Sequence, residues 1–429
     1  MKFISGFEST QIFGSGKDVL ELTRHTEFYR EDLELVRQSG IKAMRYSIPW
    51  HKIEKTRGVY DWEWTDKALG CLREFGINPI LDPLHHTSFP EWLEGGFANP
   101  EFDDLYLKFV TAIAERFPWA TRYTIINEPF VTAFFCGHEG IWYPYLRGGE
   151  NFVPMMMNVG RAISSISQML AENIPGATLI HVDACEKHRA VDEHSIPEAA
   201  FKNELRFLVQ DLILGNINPR HALYPYLTEF GATEEQLRWF AENPARIDII
   251  GLDYYAHCEL EWSKGGRIYP NQQPEGFAAV AMDYVERFRL PVMLSETNIR
   301  GEISDRVTWL KFMVEQCEIL EARIKPLGIP FEGFCWYPFI DSTDWRSLVK
   351  EAKGIVDPQG IYCLAEDCGE RRASELSETF GALARGEITS KEIPATPFKP
   401  PLDEVLKNFM PFMRHWDWRA DEAAFAQSA

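Results

Sequence analysis

Eight short runs of apolar, β-branched and aromatic residues recur along the chain, most followed by a stretch whose apolar positions return every three to four residues. Runs of the first kind read as buried strands, and stretches of the second kind as helices with one covered face. Strands are predicted at Lys2 to Glu8, Ile41 to Ile48, Ile77 to Leu84, Arg122 to Asn127, Ala177 to Asp183, Ile247 to Asp253, Leu290 to Glu296 and Phe331 to Trp336. Helices are predicted at Glu27 to Ser39, Trp64 to Phe75, Phe102 to Phe117, Val153 to Asn173, Gly276 to Phe288, Asp305 to Ala322 and Glu370 to Arg385. Gly40 and Gly76 follow the first two helices as C-caps. Cys185 to Ala245 is expected to hold two or more further helices. Strand and helix alternating through eight strands is the pattern of an α/β fold, a single (β/α)8 TIM barrel. It is expected to span residues 1–387, with no low-complexity linker inside it. The proline-richer extension, residues 388–429, is expected to pack back on the barrel through Trp416 and Trp418.

Composition narrows the partners. Apolar residues make up 45% and charged residues 25% of the 429 positions, as in soluble globular proteins. A formal charge of −20 disfavours nucleic acid and anionic membranes, which need a clustered basic surface. The first residues lack the apolar core of a signal peptide, and no run reaches transmembrane length. The eight cysteines show no C-x-x-C pair and read as buried free thiols. A reduced, cytoplasmic protein is the expectation.

Candidate chemistry lies at the ends of the predicted strands, where a barrel of parallel strands mounts its functional groups. Tyr123-Thr124-Ile125-Ile126-Asn127-Glu128-Pro129 is a buried run ending in an amide, a carboxylate and a proline. Leu290-Pro291-Val292-Met293-Leu294-Ser295-Glu296 ends in a second carboxylate. Two facing carboxyl groups are what cleavage of a glycosidic bond requires, one protonated for the leaving oxygen and one ionised toward the anomeric carbon. Arg45, His86, Tyr255 and Trp336 stand at or just past other strand ends. A guanidinium keeps a nucleophile charged, Asn127 suits a sugar 2-hydroxyl, Tyr255 suits the nucleophile's oxygen, and an indole face suits a pyranose.

These motifs resemble the retaining β-glycosidases of glycoside hydrolase clan A, with family 1 nearest. The resemblance is carried by Asn127-Glu128-Pro129, Glu296-Thr297-Asn298, Arg45-Tyr46-Ser47-Ile48-Pro49-Trp50, Leu84-His85-His86 and Gly251-Leu252-Asp253-Tyr254-Tyr255. It implies Glu128 as acid/base and Glu296 as nucleophile, with Arg45, His86, Asn127, Tyr255 and Trp336 around the reacting sugar. Three positions depart from the pattern. Asp253 stands for the usual Asn, and Thr87 for a tryptophan. Trp336 to Trp345 resembles the sugar-gripping loop loosely, with Asp344 in place of a glutamate. In that loop Asp344 is expected to hold outer sugar hydroxyls, and Tyr337 and Trp345 to add to an aromatic platform.

Other clusters have simpler readings. His85 and His86 are adjacent and face opposite ways, so they do not share an ion. His181, Asp183, Glu186 and His188 lack a zinc spacing and read as a solvated loop. Arg346, Lys350 and Lys353 form a basic patch that reads as a solvated face, with a phosphorylated or acidic sugar as the alternative. The sequence thus predicts a retaining, exo-acting β-glycosidase with no metal and no cofactor, its partner a carbohydrate or glycoside substrate. A transglycosylase using the same glutamates and a non-hydrolytic sugar-binding barrel are the rival readings.

Overall fold

The computed structural model describes residues 1–264, 266–271 and 274–396. Eight parallel strands close into a barrel: β1 (Phe3–Gly6), β2 (Ala43–Ser47), β3 (Asn78–Asp82), β4 (Arg122–Asn127), β5 (Thr178–Ala184), β6 (Ile249–Asp253), β7 (Val292–Glu296) and β8 (Phe331–Trp336). Each pairs with its sequence neighbours, and β1 pairs with both β8 and β2. Main outer helices are α1 (His25–Gln38), α2 (Glu63–Glu74), α3 (Phe102–Arg116), α4 (Gly149–Asn173), α5 (Phe277–Phe288), α6 (Ile303–Ile324) and α7 (Glu375–Ala384). The (β/α)8 expectation holds, with element ends within a few residues of those predicted except at α7, which starts five residues late.

Side-chain periodicity explains the layers. Along α3, Phe102, Leu105, Tyr106, Phe109, Val110, Ile113 and Ala114 are buried, a stripe recurring at the helical repeat. Along the strands alternation divides residues between two cores. Ile4, Ile80, Ile180, Val182, Ile249, Met293, Cys335 and Tyr337 fill the barrel interior. Their strand neighbours pack outward against the helices. Gly40 and Gly76 close α1 and α2 at φ 82° and 69°, a left-handed conformation that a Cβ disfavours.

Two departures matter for function. The segment after β5 holds four short helices, Ile196–Leu205, Leu208–Ile213, Tyr224–Glu229 and Glu234–Glu242, but begins with an unforeseen strand, Lys187–Ala190. It pairs in parallel with Glu259–Ser263, which pairs with Arg267–Pro270, so the loops after β5 and β6 join in an accessory sheet over the barrel mouth. The pairing register also shifts near the ends of β4 and β7, between Thr124 and Asn127 and between Leu294 and Glu296. Such irregularities re-aim side chains, and both lie on the strands carrying the predicted carboxylates. Beyond α7, Ser390 and Ile393 lie on α6, where Lys311 Nζ donates to the Ile393 carbonyl at 2.9 Å. Trp416 and Trp418 lie outside the described residues. Among the described residues no helix is long and apolar enough to cross a membrane.

Candidate active site

One guanidinium ties the strand ends together. Arg45, on β2, points into the barrel and is buried. Its Nη1 donates to Glu296 Oε1 at 2.5 Å, and its Nη2 to Asp82 Oδ2 at 2.9 Å and Asn127 Oδ1 at 2.6 Å. The tips of β2, β3, β4 and β7 are thereby fixed around one charge. The second oxygen of Glu296 accepts from the Tyr255 hydroxyl at 2.7 Å. Both oxygens of Glu296 thus receive a hydrogen bond, and the two together fix its plane.

Glu128 has the opposite surroundings. It leaves β4 in a left-handed conformation, φ 40° and ψ 59°, and Pro129 opens the short helix behind it. A non-glycine residue held there is strained, a feature that concentrates at functional sites. Its Oε2 is 3.6 Å from His86 Nε2, and His86 is also left-handed at φ 50°. Burial, then the charges of Asp253, Glu296 and Asp183, push the Glu128 carboxyl well above the usual range. Burial and the neighbouring His85 push His86 down to about 3, so the ring beside Glu128 is neutral. Asp183, expected in a solvated loop, is buried, accepts from Phe130 N at 3.1 Å and is pushed up to about 8 by burial.

Below this pair lies a charged layer. Against the cost of burial, Glu8 and Asp82 hold His85 up to about 10. The same imidazolium holds Glu8 down at about 2 despite burial. Asp253, opposite Glu296 in the β6–β7 ladder, accepts from Ser295 Oγ at 2.5 Å, while its Oδ2 is buried and, among the described residues, without a partner. Burial and the Glu296 charge push this carboxyl well above the usual range. Asp253→Asn keeps the shape and the Ser295 bond but removes the ionisable neighbour that raises Glu128. The alkaline limb of the kcat/KM–pH profile is therefore expected to move to lower pH. An unmoved limb contradicts this electrostatic account.

A cavity of about 210 Å³ opens over these groups. Glu128, Glu296, His86, Tyr255 and Trp345 line it, and the sequence had placed all five together. Arg45 and Asn127 sit behind the lining and hold Glu296 and one another. Two expectations are corrected. Trp336 is fully buried away from the cavity and donates to the Gln359 carbonyl at 2.9 Å, because on β8 Cys335 and Tyr337 take the inward positions. Asp344 turns into its own loop and accepts from Gly354 N at 2.7 Å and Ile355 N at 3.1 Å. The basic patch also points elsewhere: Arg346 bonds Asp357 at 3.1 Å, and Lys353 pairs with Glu351 at 2.6 Å. His188 and Glu186, read from sequence as solvated loop, line the cavity 3.2 Å apart. Tyr337, expected with Trp345 in an aromatic platform, also lines the cavity, whereas sequence reasoning missed Glu8, Trp142 and the apolar flank of Phe134, Leu260, Trp262 and Ile268. Among the described residues no group of three or more His, Cys, Asp or Glu is placed to hold a metal ion.

Comparison with known proteins agrees with this architecture. The Glyco_hydro_42 family model, Beta-galactosidase, matches residues 22–103. Beta-glucosidase A of Thermotoga maritima is 24% identical over 369 residues, covering 77% of this chain and 81% of the relative. The chain is a glycoside hydrolase, β-glucosidase-like in sequence. A second relative, Beta-glucosidase A of Acetivibrio thermocellus, is 24% identical to the hydrolase over 381 residues, 77% of this chain and 82% of its own. The solved family 1 b-glucosidase from Thermotoga maritima superposes with a TM-score of 0.74 at 20% identity, covering 86% of the hydrolase and 88% of that structure. That likeness concerns the fold.

Proposed function

We propose that the hydrolase is a retaining, exo-acting β-glycosidase in which Glu296 is the nucleophile and Glu128 the acid/base. The observation that carries this reading is the asymmetry of the two carboxyls. Glu296 is bonded through both oxygens, to Arg45 at 2.5 Å and Tyr255 at 2.7 Å, whereas Glu128 faces the same cavity in surroundings that keep its proton. The similarity to β-glucosidases supports a β-linked substrate. In the first step a Glu296 oxygen bonds to the anomeric carbon as the glycosidic C–O bond breaks, and the Glu128 proton goes to the departing oxygen. In the second, Glu128 takes a proton from water, the water oxygen bonds to the anomeric carbon, and the Glu296 carboxylate is released. Arg45 and Tyr255 receive the charge that returns to Glu296 in that step.

Trapping tests the assignment. A 2-deoxy-2-fluoro β-glycoside with a dinitrophenyl leaving group should release one equivalent of phenol and leave a stable glycosyl ester on the peptide containing Glu296. Mass spectrometry locates it. A label on any other residue, or steady turnover with none, would remove Glu296 from this role.

A further inference from the structure

We propose that Glu8 selects the sugar bound in the cavity, its free oxygen accepting hydroxyls of an uncharged glycon and turning away one that carries a carboxylate or phosphate. The inference rests on the glycosidase reading above and narrows it to a substrate class. Glu8 follows β1, its side chain is 5% exposed, and it faces the cavity. Its Oε1 is saturated: it accepts from Ser9 N at 2.8 Å, Thr10 N at 2.8 Å and Thr10 Oγ1 at 2.7 Å, and lies 3.5 Å from His85 Nε2. Among the described residues, its Oε2 has no hydrogen-bond partner. A buried carboxylate with one oxygen fully used and the other unused is set to receive a donor from whatever fills the cavity. Trp345 also lines the cavity, while its Nε1 is buried and, among the described residues, has no acceptor. Both residues act on His86, the tryptophan ring at 5.7 Å and Glu8 through its charge.

A hydroxyl suits the unused oxygen of Glu8, because it donates to a carboxylate. A uronate or a phosphate is an acceptor without a donor when ionised, and it would place a second negative charge beside Glu8 in a water-poor site. Asp344, expected to grip the sugar, holds its own loop, and Arg346 of the basic patch bonds Asp357. Lys202, Arg206 and Arg300 also line the cavity, but Lys202 lies 5.5 Å and 5.7 Å over the Phe134 and Trp262 rings at the accessory-sheet flank, and the two guanidiniums pair with Asp283 at 2.7 Å and Asp357 at 3.4 Å. The carboxylate of Glu8 therefore supplies the contact the sequence assigned to Asp344.

The test compares wild type, Glu8→Gln and Glu8→Ala on 2,4-dinitrophenyl β-glycosides of neutral hexoses and pentoses, a β-glucuronide and a 6-phospho-β-glucoside. Wild type should favour at least one neutral sugar over both anionic ones by more than about 100-fold in kcat/KM. Glu8→Ala should lower kcat/KM on that neutral sugar by about 10- to 100-fold, the worth of a hydrogen bond to a charged group. Glu8→Gln, which keeps the size and removes the charge, should narrow the gap between neutral and anionic sugars at least tenfold; it decides the matter if Glu8→Ala does not fold. Calorimetric binding of neutral hexonolactams gives a readout independent of turnover, and Glu8→Ala should weaken it at least tenfold. Preference for an anionic sugar, or variants within threefold of wild type in binding and selectivity, overturns the role of Glu8, as does failure of every neutral lactam to bind wild type. Glu8-dependent binding with no turnover of any glycoside would instead sink the glycosidase reading and leave Glu8 as a sugar-binding group.

Discussion

Glu296→Ala should lower kcat/KM on an activated aryl β-glycoside by on the order of 10⁵-fold, the scale of removing a nucleophile from an intact site. Added azide or formate should restore part of the turnover, and azide should give a product with the anomeric configuration inverted relative to the substrate. The geometry explains why rescue is expected here. Truncation leaves Arg45 Nη1 and the Tyr255 hydroxyl, which had donated to the two Glu296 oxygens, facing a space of carboxylate size. Two donors around an emptied position, one of them a guanidinium bound also to Asp82 and Asn127, make a site for a small anion beside the anomeric carbon. Arg45 is buried, so leaving it short of a partner also costs stability, and a lowered melting temperature partly recovered by formate is the companion result. Activity within tenfold of wild type would mean that another group attacks the sugar.

The barrel was legible because two periods, short apolar runs and helical stripes, alternate along the chain and are punctuated by glycines such as Gly40 and Gly76 that the helix ends require. Glu128 and Glu296 were legible for a related reason: a buried run that ends in a carboxylate puts it at the barrel mouth. What was lost is parity. On β8, inward Cys335 fixes Tyr337 as the next inward residue and sends Trp336 to the helices, so strand alternation alone argued against Trp336 as a sugar platform. Asp344 was misplaced because its carboxylate serves backbone amides ten residues on, a loop contact that no periodicity announces. Glu8 was passed over because its role depends on which oxygen the Ser9–Thr10 turn consumes. The accessory sheet joins strands about 70 residues apart, at Lys187–Ala190 and Glu259–Ser263, and each alone is a four- or five-residue run inside a long loop.

Glu128→Ala should divide substrates by their leaving group. For an alkyl or unactivated aryl glycoside, whose departing oxygen needs a proton, kcat/KM should fall by about 10²- to 10⁴-fold, the usual worth of a positioned general acid. For a dinitrophenyl glycoside the first step needs no proton, so kcat/KM should change little. Its kcat should fall because no base activates water, and its KM should fall with it as the glycosyl ester accumulates. Azide, which needs no base, should raise kcat and yield a β-glycosyl azide, the opposite anomer from the Glu296→Ala product. The pH profile gives the second check. Burial and the charges of Asp253, Glu296 and Asp183 raise the carboxyl of Glu128, so its acid form persists above the pH at which an ordinary glutamate has ionised. Wild-type kcat/KM on a poor leaving group should stay high through that range and decline as pH rises through the raised value; in Glu128→Ala the decline should vanish. A dinitrophenyl glycoside should lack this dependence even in wild type, because its bond breaks without the proton. If both substrates lose activity equally in Glu128→Ala, or the alkaline limb survives the substitution, the proton comes from elsewhere, and Asp183, pushed up to about 8, is the next carboxyl to replace.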